Sequence, residues 1–148
     1  MISNKIKESL DSKKLPRLSE SGRQKYATAL NELGIPPDSN AADFFLTYDE
    51  TGFSGRSYQL YHICWAYLNT YDYEALLKNL WERRPWGVLP RNYIPLSSFE
   101  GEKLFIHNYE DDSVSLVDEM EINVIIANKF IPQWKSFESF LVWFFEIE

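Results

Sequence analysis

Two short runs rich in β-favouring residues, Leu104 to Tyr109 and Ser113 to Val117, are separated by only three residues. These three residues, Glu110, Asp111 and Asp112, are all acidic. A polar connection of this length is typical of a β-hairpin. The two runs therefore predict an antiparallel pair of strands in the second half of the chain.

Helical periodicity lies on both sides of this hairpin. The upstream apolar stripe consists of Tyr26, Ala29, Leu30 and Leu33, and it ends at Gly34. The downstream stripe follows the capping residue Ser136 and consists of Phe137, Phe140, Leu141 and Phe144. Helices near both ends with strands between them indicate an α+β fold, because a parallel sheet would require alternating βαβ units. We therefore predict a mainly antiparallel sheet flanked by N- and C-terminal helices.

Weaker patterns fill the rest of the chain. They predict a short helix around Phe44 capped by Asp38, Ser39 or Asn40, and a second helix from Tyr71 to Arg84 capped by Asp72. They also predict a loop from Gly52 to Gly55 and strands from Tyr58 to Trp65 and from Val124 to Ala127. A further strand is expected from Asn92 to Leu96, where Pro95 indicates a sheet edge. We assign residues 1–18 to an N-terminal extension and residues 19–148 to a single domain.

The cellular compartment follows from the cysteine count and from the uncharged segments. Cys64 is the only cysteine, so it has no intramolecular disulfide partner, and a reducing compartment is favoured. The N-terminus carries no apolar run of the secretory type. The longest charge-free run, Ser57 to Tyr71, is too short for a membrane helix. We expect a cytoplasmic protein without a membrane span, either a monomer or a weak dimer.

The charge distribution suggests what kind of partner the chain binds. Its formal net charge is −7, which disfavours nucleic-acid binding and allows a basic protein partner. The negative charge is concentrated between residues 97 and 123, where Lys103 is the only lysine or arginine. The acidic residues of this segment are Glu100, Glu102, Glu110, Asp111, Asp112, Asp118, Glu119 and Glu121. We predict that they form a partner-binding face, with Tyr109 or Trp86 as the aromatic anchor.

Motifs for catalysis are weak. His62, Cys64 and His107 are too few for a convincing zinc site, so packed strand residues are the favoured interpretation of His62 and Cys64. The sequence Gly52-Phe53-Ser54-Gly55 resembles the nucleophile elbow of hydrolases, but Arg56 replaces its last glycine. Glycine-rich phosphate motifs are absent from the sequence. A hydrolase that uses Glu100 or Glu102 is the remaining enzymatic alternative, and we predict no catalytic activity, metal or cofactor.

The order of several short motifs resembles one protein family. Leu33-Gly34-Ile35-Pro36-Pro37 precedes a short helix that ends near Tyr48, and Tyr93-Ile94-Pro95-Leu96 precedes the hairpin. The chain then closes on Lys135-Ser136-Phe137-Glu138-Ser139-Phe140-Leu141. Over about residues 30–145 this order resembles the SUKH superfamily, which includes the Smi/Knr-type cell-wall regulators.

The resemblance implies a SUKH-like sheet flanked by helices and no catalytic residues. Bacterial members of this superfamily look like immunity proteins that bind and neutralise polymorphic toxins, often nucleases. Eukaryotic members look like signalling scaffolds. We therefore expect a non-enzymatic immunity protein that binds a basic toxin domain through an acidic face. A regulatory or signalling scaffold of the Smi/Knr type is the alternative.

Overall fold

A computed structural model describes residues 1–85 and 87–148 of the chain, and its fold is α+β, as predicted. Its helices are α1 (Asn4–Ser12), α2 (Glu20–Leu33), α3 (Asn40–Thr47), α4 (Ile63–Asn69), α5 (Tyr71–Lys78), α6 (Glu119–Ile126) and α7 (Phe137–Phe144). Its strands are β1 (Gly52–Gly55), β2 (Tyr58–Tyr61), β3 (Tyr93–Pro95), β4 (Leu104–Asn108) and β5 (Ser113–Val117). A π-helical turn, Asn79–Arg83, continues α5.

Hydroxyl side chains cap the N-termini of most of these helices. Ser19, Ser39 and Ser136 each accept a hydrogen bond from the backbone N–H three residues further on, at the starts of α2, α3 and α7. Such a cap contributes about 1 kcal/mol. The predicted stripes of α2 and α7 are buried throughout, and α2 ends at Gly34 with a φ of 83°. The predicted cap Asp72 is wrong, because Thr70 caps α5.

The predicted hairpin is confirmed. Leu104 pairs with Val117 at its open end, and Asn108 pairs with Ser113 beside the turn. β3 pairs with the other side of β4, so the sheet order is β3-β4-β5 and all neighbours are antiparallel. Pro95 lies on the edge strand β3, where a residue without an N–H interrupts no central ladder.

The predicted loop from Gly52 to Gly55 is wrong, since these residues form β1 and pair with β2. The turn between them consists of Arg56 and Ser57, with φ values of 52° and 66°. Two successive positive φ values are typical of the tight hairpin turn that usually contains Asn and Gly. Arg-Ser lacks that sequence signal, and this is why the hairpin was not predicted.

Two predicted strands are wholly or partly helical. The strand expected from Tyr58 to Trp65 ends at Tyr61, and α4 begins directly after His62, whose Nδ1 accepts the Trp65 N–H at 3.4 Å. The strand expected from Val124 to Ala127 is wrong, because α6 covers residues 119–126. In α6 the residues that face inward are Ile122 and Ile125, which is a helical spacing.

The three-stranded sheet separates two apolar cores. Phe105 and Val114 point into the larger core, to which α2, α3 and α7 also contribute apolar side chains. Leu104, Ile106 and Val117 point to the other face, where they pack on α6 in a smaller core. Alternate residues of a strand point to opposite faces, so the β4–β5 hairpin contributes side chains to both cores.

The N-terminal segment also packs on the larger core. Ile2, Ile6 and Leu10 are buried there. Asp43 in α3 accepts a hydrogen bond from the Ile2 N–H at 2.9 Å and forms an ion pair with Lys7 at 3.1 Å. The segment predicted as an extension thus contributes apolar side chains to the main core.

Candidate functional site

The acidic residues of the predicted face occupy opposite ends of the β4–β5 hairpin. Glu110, Asp111 and Asp112 form its turn, whereas the other five surround its open end. A five-residue strand spans about 13 Å between its first and last Cα atoms. The structure therefore divides the predicted face into a turn group and an open-end group.

Asp111 of the turn group and the neighbouring Tyr109 make contacts within the fold. Asp111 Oδ1 accepts hydrogen bonds from the Ser113 N–H at 2.9 Å and from the Ser113 hydroxyl at 2.6 Å, which fixes the turn. Tyr109 is partly buried, and its hydroxyl leaves no room for a side chain at Gly34, where a Cβ would lie 2.9 Å away. Glu110 is exposed.

Asp112 is the most strongly bound of the predicted site residues. Its carboxylate accepts hydrogen bonds from His107 Nε2 at 3.2 Å, Asn40 Nδ2 at 2.9 Å and the Phe137 N–H at 3.2 Å. Burial opposes its ionisation, but these donors outweigh that effect and lower the pKa of Asp112. Its carboxylate joins the starts of α3 and α7 to the hairpin, so its role in the structure is to hold the fold together.

Three members of the open-end group also have partners in the fold. Asp118 caps α6 in a reciprocal capping box with Glu121, which lies 3.8 Å from Lys103 Nζ. Glu119 forms an ion pair at 3.0 Å with Arg84, whose side chain is only 3% exposed. Removing the Glu119 charge would leave the buried Arg84 guanidinium with only neutral acceptors, the Gly87 carbonyl and Asn123 Oδ1, and solvent moderates the cost because the Glu119 side chain is 56% exposed.

An exposed methionine lies beside this group. Met120, in the first turn of α6, is 78% exposed. It lines a surface depression of about 500 Å³ together with Phe99, Glu102, Asp118 and Glu119. A second depression, of about 430 Å³, shares Met120 and Glu119 and is completed by Asn79, Arg84, Pro85 and Asn123. Met120 therefore stands between two shallow depressions, and sequence reasoning missed it. Glu102, Asp118 and Glu119 border the first depression, whereas the second combines Glu119 with its ion-pair partner Arg84.

The carboxylates of Glu100, Glu102 and Glu110 have no ion-pair or hydrogen-bond partner in the described part of the chain. Glu102 is exposed and Glu100 is partly buried. Trp86, the other predicted anchor, lies outside the described residues. Of the predicted set, Glu102 combines exposure, an unpaired charge and contact with the Met120 depression.

The residues considered for metal binding or nucleophilic catalysis are used by the fold. The Nε2–H of His62 donates to the carbonyl oxygens of Phe45 at 2.9 Å and Tyr48 at 3.1 Å. Burial lowers the pKa of His62 to about 4 and raises the pKa of the buried Cys64 thiol. Within residues 1–85 and 87–148, no group of three His, Cys, Asp or Glu side chains converges in a way that could hold a metal ion.

Comparisons with protein-family models, curated proteins and solved structures gave no match for this chain. None of the described helices is both long and apolar enough to cross a membrane.

Proposed function

We propose that this chain is a non-enzymatic protein-binding module of the SUKH superfamily. We further propose that it is an immunity protein that neutralises a basic toxin domain through the acidic surface around Met120. The observation that carries the proposal is Met120 itself, a large apolar side chain that is exposed beside the carboxylates of Glu102, Asp118 and Glu119.

This arrangement fits the usual anatomy of a protein interface. Binding energy is concentrated in a few apolar anchors at the centre, and charged groups at the rim govern specificity and association rate. Methionine is flexible and polarisable, so it adapts to different partner surfaces. The phenylalanine and carboxylates around Met120 provide apolar contact and negative potential on the same patch.

The negative charge favours a basic partner. Opposite potentials accelerate diffusional encounter, and the effect weakens as ionic strength rises. Nuclease toxins tend to be basic because their substrate is anionic, so an acidic inhibitor would associate with them rapidly. This argument supports the toxin-neutralising role, and it leaves the identity of the toxin to experiment.

The experiment is affinity purification of the tagged chain from its native cells, followed by binding measurements with the recovered partner. We expect Met120→Asp to weaken binding at least thirtyfold, as loss of a central anchor of about 2 kcal/mol implies. We expect Glu102→Lys to slow association severalfold at low salt and to have little effect at high salt. Tyr71→Asp is the matched control, because Tyr71 is 88% exposed at the start of α5 and lines neither of the two depressions beside Met120.

Co-expression of the recovered partner then tests the immunity role. The chain should restore growth to cells that produce the partner as a toxin, and Met120→Asp should not. Recovery of regulatory proteins alone, without any toxic activity, would contradict immunity and favour the scaffold function. Equal binding by Met120→Asp and Tyr71→Asp would exclude the Met120 surface as the interface.

A further inference from the structure

A small polar pocket lies on the α6 side of the three-stranded sheet, next to the hairpin turn. Tyr93, Asn108 and Ser113 form one row across the three strands, because Tyr93 pairs with Asn108 and Asn108 pairs with Ser113. Ser115 lies in the next row, paired with Ile106. Asn128, Phe130 and Pro132, from the segment between α6 and α7, complete the walls around a cavity of about 140 Å³.

The polarity of this pocket is unexpected for its position. On the same face of the sheet, Leu104, Ile106 and Val117 build the smaller apolar core. Towards the turn that face becomes polar, although Ser113 is only 7% exposed and Ser115 only 4% exposed. Burying hydroxyls costs free energy that valine at the same positions would avoid. Each hydroxyl offsets this cost with a hydrogen bond within the fold, from Ser113 to Asp111 and from the Gln133 N–H to Ser115, and each oxygen keeps an acceptor lone pair for a further donor.

The pocket carries a negative charge. Asp111 lines it, and its Oδ2 has no hydrogen-bond partner among the described residues, since both bonds from Ser113 go to Oδ1. None of the ten described residues that line the pocket is basic. Burial and, after it, the negative charge of Asp111 raise the pKa of the Tyr93 phenol, which lines the same pocket, and Asp111 itself is exposed at the rim.

The remaining wall groups supply oxygen acceptors around that carboxylate. Ser115 Oγ accepts the Gln133 N–H at 3.3 Å, and as a hydroxyl it retains a further lone pair. Ser113 and Tyr93 add two more hydroxyl groups, whereas the amide oxygen of Asn108 already accepts hydrogen bonds from Asn92 Nδ2 at 2.7 Å and from the Glu110 N–H at 3.0 Å. A planar guanidinium has five N–H donors, and it pairs well with a carboxylate surrounded by neutral acceptors.

We infer that this pocket binds the guanidinium group of an arginine side chain presented by the protein partner. The inference rests on the proposed function for the existence of a basic partner, but the pocket can be tested without that partner. It also assigns a role to Asp111 that differs from that of the Met120 surface. Met120 supplies apolar contact at the open end of the hairpin, whereas the pocket provides a specific ion pair beside the turn.

The test is a ¹⁵N NMR titration of the full chain with N-acetyl-arginine amide. The control ligand is N-acetyl-citrulline amide, which has nearly the same shape but no charge. We expect saturable shifts of the Ser113, Ser115 and Asn128 amides with the arginine compound, and at least tenfold weaker binding of the citrulline compound. Equal binding of the two compounds, or shifts confined to other residues, would overturn the inference.

Two variants separate the pocket from general folding. Asp111→Asn keeps an oxygen acceptor for the Ser113 N–H but removes the charge, so arginine binding should fall at least tenfold with the hairpin intact. Ser115→Val should fill the pocket and abolish binding, and unchanged amide shifts outside the pocket would show that the fold persists although the acceptor of the Gln133 N–H is lost. Unchanged arginine binding in both variants would also overturn the inference. Met120→Asp should leave arginine-amide binding unchanged, so the two proposals can fail independently.

Discussion

Replacement of Asp112 should destabilise the fold far more than replacement of its acidic neighbour Glu110. The carboxylate of Asp112 accepts hydrogen bonds from three donors on three separate elements, whereas Glu110 is exposed and has no side-chain partner within the described residues. Hydrogen bonds to a charged group contribute about 1.5 to 3 kcal/mol each, and the contributions do not add fully. We therefore expect Asp112→Ala to lower the free energy of unfolding by about 3 kcal/mol or more.

Part of that loss comes from the backbone conformation of residue 112. The Asp112→Asn variant keeps that conformation accessible and so isolates the contribution of the charge. Asp112 has a φ of 67°, a left-handed conformation that asparagine tolerates better than alanine does. The asparagine amide can also donate to His107 Nε2 while its oxygen still accepts from Asn40 and Phe137, provided that His107 carries its proton on Nδ1. The charge assistance is then lost, and the proton lies on the buried Nδ1 of His107, which has no hydrogen-bond partner within the described residues, so we expect a loss of about 1 to 2 kcal/mol.

The assay is urea unfolding of the wild type, both Asp112 variants and Glu110→Ala, monitored by tryptophan fluorescence. Glu110→Ala should change the free energy of unfolding by less than about 0.5 kcal/mol. Because the folded pKa of Asp112 is lowered below 3.8, its contribution is complete well above that pH and is lost as the pH falls through the folded pKa. The wild-type advantage over Asp112→Asn should therefore disappear in acid. An Asp112→Ala variant as stable as Glu110→Ala would refute the proposed network.

Two further predictions concern stability. The pKa of His62 is about 4 in the folded chain, against an ordinary value of 6.5, so the unfolded chain binds a proton first as the pH falls. The free energy of unfolding should therefore drop by about 2 kcal/mol between pH 7 and pH 5. In urea unfolding at these two pH values, His62→Gln should show a clearly smaller drop. A Cβ at Gly55 would lie 2.5 Å from the Phe144 carbonyl oxygen, whereas a Cβ at Gly101 would meet nothing within 4 Å. Gly55→Ala should therefore cost more than about 2 kcal/mol and lower the melting temperature further than Gly101→Ala, which bears only the left-handed strain of about 1 kcal/mol; equal melting temperatures would contradict the close contact with α7.

The elements that the sequence predicted well have strong local patterns. The stripes of α2 and α7 repeat at helical spacing and carry hydroxyl caps, and the β4–β5 hairpin combines β-favouring runs with a short polar turn. α6 was missed because Val124, Ile125 and Ile126 favour a strand locally. The signal that identifies it is Asp118 followed three residues later by Glu121, which is a capping box.

The candidate site was less predictable because the role of each carboxylate depends on distant residues. Asp112 is bound by Asn40, which is 72 positions away in sequence, and by Phe137, which is 25 positions away. Glu119 is the counter-ion of Arg84, and no local sequence pattern predicts that Arg84 is buried. Composition identified an acidic segment, but only tertiary contacts separate the acids that hold the fold together from those available to a partner.

The packing of α7 has a consequence for synthesis of the protein. Phe137 and Phe144 share the larger core with Ile6 of α1 and with Phe44 of α3, and Gly55 of β1 lies directly against α7. During translation, α1, α2 and α3 emerge long before the aromatic side chains that cover their apolar surface. The nascent chain must therefore carry that surface uncovered until α7 has left the ribosome, and chaperone binding to the growing chain should concentrate in this interval.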